Sequence, residues 1–249
     1  MKEKQSHESV IVITGAGKGI GRAVAESLSS WARNHRNPVK ILLTSRTRSD
    51  LEALKSRIES DSIECDWVSC DLADSPTRPL EVCIQRFGRV DALIHCAGVG
   101  RFKEFLEQTE DDVEYTIRTN VTATFLLLQR AYAIMKAQAP RNGMRGQIQV
   151  VTSIAAEQPF LQSSSYCMSK YAQRGLLDVM KLYGRQDGIR ILEVKPGAAY
   201  TPMWGEVEKG QLERMMSPED VAHPMVEALS LSPRASLESV TIRPIGGDL

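Results

Sequence analysis

Residues 10–21 read VIVITGAGKGIG. The first five are apolar or β-branched without a charged break, the pattern of a strand covered on both faces of a sheet. From Gly19 the spacing changes. Ile20, Val24 and Leu28 recur at i, i+4 and i+8, which predicts a helix over 19–32. Between strand and helix lies a turn holding Gly15, Gly17, Gly19 and Gly21, with Lys18 and Ile20 interleaved. Such glycines let backbone N–H groups approach a pyrophosphate closely, and the helix N-terminus adds its partial positive charge. The spacing Gly-x-x-x-Gly-x-Gly departs from the Gly-x-Gly-x-x-Gly dinucleotide fingerprint. It also lacks the Gly-Lys-Ser/Thr ending of an ATP-type phosphate loop.

Outward from this unit the same alternation continues. Strands are predicted at 39–45, 64–70, 92–96, 147–152, 189–195 and 239–242, and helices at 50–60, 76–87, 111–139, 165–183 and 218–229. Capping boxes mark two helix starts, Thr109 with Asp112 and Ser217 with Asp220, the latter with Pro218 at the first helical position. Strands regularly separated by helices imply right-handed βαβ units. The expectation is an α/β fold: one Rossmann-type, doubly wound parallel sheet of about seven strands, helices on both faces, spanning 1–249 as a single domain. Residues 34–38 (NHRNP) lengthen one connection, and 140–146 (PRNGMRG) read as a surface turn. Residues 196–217 have weak periodicity and follow a strand's carboxyl end, where open parallel sheets bind ligands. A lid is expected there, with a solvated loop as the alternative.

Composition narrows the function classes. The 249 residues carry 31 Lys+Arg against 31 Asp+Glu, a net charge of zero. Nucleic-acid and anionic-membrane binders carry a basic excess, so neither partner is expected. The five cysteines form no Cys-x-x-Cys pair and the four histidines have no chelating spacing, so no metal site is expected. The polar start lacks a signal-peptide core, and no apolar run reaches the roughly 20 residues that span a bilayer. A cytoplasmic protein is the expectation.

The residue after the second strand distinguishes the two nicotinamide dinucleotides. An acid there binds a ribose 2′-hydroxyl; a base binds a 2′-phosphate. Residues 43–48 (LTSRTR) contain no acid. Arg46 offers a planar fork for a phosphate, Ser45 a hydroxyl, and Lys18 reaches from the glycine turn. The expected cofactor is therefore NADP(H).

Tyr166 and Lys170 stand at i and i+4, on one helix face. An ammonium there stabilises phenolate and lowers the tyrosine pKa, so that Tyr166 exchanges a proton with a carbinol or carbonyl oxygen near neutral pH. Tyr132 and Lys136 repeat the spacing. Context separates the two pairs: Ser153, thirteen residues before Tyr166, lies at the end of a buried-looking strand, whereas Thr119, thirteen before Tyr132, lies in a helix. Ser153, Tyr166 and Lys170 are the candidate site; Tyr132 and Lys136 are read as a surface pair.

Residues 14–21, Asp71-Leu72, Cys96-Ala97-Gly98, Asn120, Ser153, Tyr166 with Lys170, and Pro196-Gly197 with Thr201 resemble the short-chain dehydrogenase/reductase pattern, in order and over essentially the whole chain. The resemblance implies that Tyr166 is the general acid, that Lys170 binds the nicotinamide ribose and lowers the Tyr166 pKa, and that Ser153 orients the substrate carbonyl. It implies that Asn120 holds a water relaying protons, that Asp71 and Leu72 meet adenine, and that Pro196, Gly197 and Thr201 meet nicotinamide. The cofactor should pass over Ala97 and Gly98. One departure is plain: His95-Cys96 replaces an Asn-Asn pair. His95 is expected to be structural, or to replace one asparagine hydrogen bond.

Within that family, residues 99–102, 166–170, 173–176, 200–205 and 243–248 resemble the pterin-reducing branch. This implies that an acid near the C-terminus, Asp248, anchors the guanidine-like edge of a pterin, and that Trp204 covers the flat heterocycle. The expected reaction is NADPH-dependent reduction of a pterin side-chain ketone such as sepiapterin, in a homodimer or homotetramer. A 3-oxoacyl thioester or general carbonyl reductase, and a non-catalytic NADPH-binding sensor, stand as the alternatives.

Overall fold

The computed structural model describes residues 8–248. Its centre is one seven-stranded sheet in the order β3-β2-β1-β4-β5-β6-β7, every neighbouring pair parallel. The strands are β1 (Ser9–Thr14), β2 (Val39–Ser45), β3 (Ile63–Ser69), β4 (Ala92–His95), β5 (Gly146–Val151), β6 (Ile189–Pro196) and β7 (Ser239–Ile242). The order reverses between β1 and β4, so the crevice for a ligand opens beyond their carboxyl ends. Register places Thr14 beside Thr44 and His95, and Val151 beside Val194, at that end.

The continuous apolar run of β1 is explained by burial on both faces. Ile11 and Ile13 enter one apolar layer, with α1 (Gly19–His35), α2 (Arg48–Ile58) and α8 (Pro218–Glu227). Val10 and Val12 enter the opposite layer, with α3 (Arg78–Phe87), α5 (Thr124–Ala137) and α6 (Ser164–Asp187). No described helix is long and apolar enough to cross a membrane.

Several boundaries differ from the sequence expectation. Helix α1 continues through His35 into the predicted loop and ends at Arg36 in the left-handed conformation. The largest difference lies in the predicted helix 111–139. It divides into α4 (Glu110–Ile117), a π-helical turn over Arg118–Ala123, and α5. A π turn holds an extra residue without interrupting the apolar stripe, so periodicity does not reveal it. Both capping boxes form as expected, Thr109 with Asp112 and Ser217 with Asp220. Residues 196–217 fold into a single turn at Pro202–Trp204 and the short α7 (Lys209–Leu212).

Candidate active site

The glycine turn is tight because three backbones meet there. Gly15 has φ +66°, and a Cβ on it would come within 2.8 Å of Ala97 N. A Cβ on Gly21 would lie 2.4 Å from the Gly15 carbonyl oxygen, and one on Gly17 would lie 2.8 Å from Ser45 Oγ. The turn, the end of β2 and the segment after β4 are therefore pressed together. Lys18, at the N-cap of α1, is extended and makes no side-chain cap, and the first turn of α1 has no acid. Its N–H groups and dipole thus face the crevice ready for an anion. Thr201 packs its methyl against Gly19, bringing the segment after β6 onto the turn. Ile20, Leu72 and Cys96 pack into the apolar layers beneath.

The basic clamp differs from its sequence reading. Residues 43–48 lack acids, yet in space each base faces one. Lys18 Nζ lies 3.7 Å from Asp50, and Arg46 Nη1 lies 3.9 Å from Asp71 while donating to Tyr115 Oη at 3.0 Å. Exposed pairs of this kind hold weakly, so both cations remain open to a stronger anion. Asp71 is itself oriented by the Ala73 N–H, 2.9 Å from Oδ1.

Ser153 lies two residues past the end of β5, and its Oγ accepts from Ala155 N at 3.1 Å in the turn Ile154–Ala156. Tyr166 and Lys170 lie on one face of α6, with Lys170 Nζ 5.5 Å from the phenol ring centroid. Burial pushes the Tyr166 phenol up to about 12, and the Ser153 side chain pulls it part of the way back. Desolvation is the largest influence on the phenol here, ahead of the Ser153 side chain. Burial also lowers Lys170 to about 8, leaving it mainly an ammonium at neutral pH. The arrangement is an acid awaiting an acceptor, with a cation behind it.

Asn120 is fully buried in the π turn. Its side chain accepts from Val99 N at 2.9 Å and donates to Val99 O at 2.8 Å and Ser169 Oγ at 3.0 Å. That stitches α6 to the segment after β4. His95 Nδ1 meets Thr14 Oγ1 at 2.7 Å, and Nε2 meets Thr124 Oγ1 at 2.9 Å. Thr14 Oγ1 also accepts from Ala97 N at 3.3 Å, so His95 supports the backbone after β4 indirectly. Tyr132 and Lys136 both grip Asp187, at 2.6 and 2.9 Å, away from the crevice.

Residues 9–212 match the family described as short chain dehydrogenase. The chain is 42% identical to a sepiapterin reductase of Chlorobaculum tepidum, over 96% of this chain and 98% of that one. The chain belongs to the short-chain dehydrogenase family. It is 28% identical to a farnesol dehydrogenase of Aedes aegypti, over 95% of this chain and 96% of the relative. Among solved structures it resembles an alcohol dehydrogenase of Thermococcus sibiricus complexed with 5-hydroxy-NADP, with a TM-score of 0.84 and 25% identity over 96% and 97% of the two chains. It also resembles a metagenomic short-chain oxidoreductase in complex with NADP, with a TM-score of 0.78 and 27% identity over 96% and 99%.

For an oxidoreductase of the short-chain dehydrogenase family, the rim of the crevice bears on what it accepts. Phe102 stands 5.2 Å from the Tyr166 ring and 6.2 Å from that of Phe160. No sequence pattern gave either phenylalanine a role. Trp204, in the turn Pro202–Trp204, donates Nε1–H to Ala199 O at 2.9 Å and leaves its ring half exposed. Asp248 lies beside Gly197 and is ion-paired with Arg243, which also donates to Gln158 Oε1 at 3.3 Å. The carboxylate expected to be open for a ligand therefore already has a guanidinium partner.

Proposed function

We propose that the chain is an NADPH-dependent carbonyl reductase whose substrate is sepiapterin or a related pterin side-chain ketone. The observation that carries this reading is the joining of Ser153, Tyr166 and Lys170 at the carboxyl ends of β5 and β4, beside the glycine turn. The cradle fits NADP: Gly15, Gly17, Gly19 and Gly21 admit a pyrophosphate, and the uncapped α1 N-terminus faces it. Arg46, Ser45 and Lys18 take the 2′-phosphate, Asp71 the adenine end, Ala97, Gly98, Pro196, Gly197 and Thr201 the nicotinamide end. Bound NADPH supplies the hydride.

The protein's part is proton delivery and orientation. Ser153 holds the carbonyl oxygen by a hydrogen bond, and Tyr166 gives that oxygen its proton. Lys170 stabilises the phenolate as it develops, and Asn120 fixes α6 against the segment after β4. Trp204 covers the heterocycle and Asp248 binds its amino-pyrimidine edge. Similarity to the Chlorobaculum tepidum sepiapterin reductase supports the pterin. We read 1–249 as one cytoplasmic catalytic domain with 196–217 as its lid. Exposed Phe125 and Leu126 on α5, with Tyr171, Val179 and Leu182 on α6, support a homodimer or homotetramer.

Turnover of sepiapterin against acetoacetyl thioester, each with NADPH, tests the substrate. Faster reduction of the pterin is expected. Reduction of the thioester alone overturns the pterin reading but not the carbonyl reductase.

A further inference from the structure

Lys170 is 3% exposed and has no carboxylate within salt-bridge distance among the described residues. Its Nζ instead donates to two neutral oxygens, Val151 O at 3.2 Å and Gln173 Oε1 at 3.0 Å. A buried ammonium depends on such acceptors, because nothing else replaces its lost water.

Gln173 is itself 1% exposed, and both ends of its amide are used. Nε2 donates to Asn120 O at 2.7 Å and to Thr124 Oγ1 at 3.3 Å. These contacts fix the amide's orientation. A flip would turn the NH2 toward the ammonium and set the amide oxygen against the Asn120 carbonyl. The π turn contributes, since Thr124 N bonds Val121 O rather than the Asn120 carbonyl, which accepts from Gln173. From Thr124 the contacts continue to His95, Thr14 and Ala97 N.

We infer that Gln173 is a positioning residue that holds Lys170 as an ammonium facing Tyr166, its oxygen aimed by the π turn at Asn120 and by the Thr124–His95–Thr14 chain. The inference rests on the proposed role of Lys170 in stabilising the Tyr166 phenolate. It adds that the charge of Lys170 is maintained by a neutral amide three residues along the same helix. The titratable groups facing Lys170 are Tyr166 on α6, His95 and Cys96 at the end of β4, and Glu193 on β6. His95 is buried and neutral, and Glu193 is also paired with Lys181. None of them contacts Nζ as Gln173 does.

The test is the titration midpoint of Lys170 in the full chain, followed by NMR of 13C-labelled lysine with Lys170→Met for assignment. Gln173→Leu removes the acceptor and should lower the midpoint; Gln173→Glu keeps an acceptor, adds charge and should raise it, each by about one pH unit. In carbonyl reduction, the upper pH limit of kcat should move the same way, with the NADPH KM unchanged. Midpoints that stay put, or move together, overturn the role of Gln173. Should Gln173→Leu fail to fold, an unmoved or lowered midpoint in Gln173→Glu overturns it alone. Midpoints that move in opposite directions while the kcat profile does not uphold Gln173 and refute the proposed role of Lys170.

Discussion

Thr14 Oγ1 and His95 Nδ1 stand 2.7 Å apart at paired positions of β1 and β4, fully inside the molecule. A hydroxyl on each side satisfies both ring nitrogens of the neutral imidazole, donating to one and accepting from the other. Burial, with the Lys170 charge adding to it, lowers His95 to about 3.

This fixes the sign of a stability effect. Between about pH 6.5 and pH 3 the unfolded chain protonates His95 and the folded one does not, so stability drops as the pH is lowered through that range. The contribution is fully present above 6.5 and, once lost, amounts to on the order of 5 kcal/mol. Urea melts from pH 7 to pH 4 should show a shallower decline for His95→Asn than for the wild type. Identical slopes would remove His95 from the acid response.

The Tyr166 and Lys170 pKa values set a second expectation. Tyr166 keeps its proton to about 12, whereas Lys170 loses its own near 8. Carbonyl reduction should therefore hold its rate below pH 8 and slow above it, as the cation behind the developing phenolate disappears. Tyr166→Phe should lower kcat about 10²–10⁴-fold across that range with NADPH binding intact. A near wild-type rate would refute the proton-donor role. Steady-state rates from pH 6 to 10 measure both.

The contrast between legible and hidden features follows from range. The strands could be read because residues such as Ile11, Val12 and Ile13 are buried on both faces and need no partner to be recognised. Ser153, Tyr166 and Lys170 could be singled out because a strand end and one helical turn mark them in the sequence. The link from Lys170 through Gln173 to His95 could not, since it depends on Asn120 in a π turn that leaves the apolar period unchanged and on Thr124 just after it. Likewise the acids facing Lys18 and Arg46 come from α2 and from beyond β3, outside any window around the bases themselves.

Arg46 offers the clearest cofactor test. Tyr115 Oη already holds its guanidinium, and the facing carboxylate of Asp71 is 3.9 Å away, too far for a strong bond. A hydrogen bond between charged partners is worth about 1.5–3 kcal/mol, so Arg46→Ala should raise the NADPH KM about tenfold to a hundredfold. The NADH KM should stay within about twofold, and Tyr115→Phe should give a smaller loss of the same selectivity. Equal losses for both dinucleotides would refute a 2′-phosphate contact.

Arg243 and Asp248 set the last prediction. Their ion pair sits beside Gly197, at the end of β6, and Gln158 Oε1 accepts from the same guanidinium. A guanidine-like ligand edge would compete with Arg243 for one carboxylate, since both present parallel N–H donors. Removing the competitor and removing the acceptor must then act oppositely. Arg243→Ala should lower the sepiapterin KM, because Asp248 no longer has to release a partner. Asp248→Asn should raise it by about tenfold with kcat little changed, as expected for loss of binding that is equal in ground and transition states. If both substitutions raise KM, the pair stabilises the C-terminal segment and the ligand edge binds elsewhere.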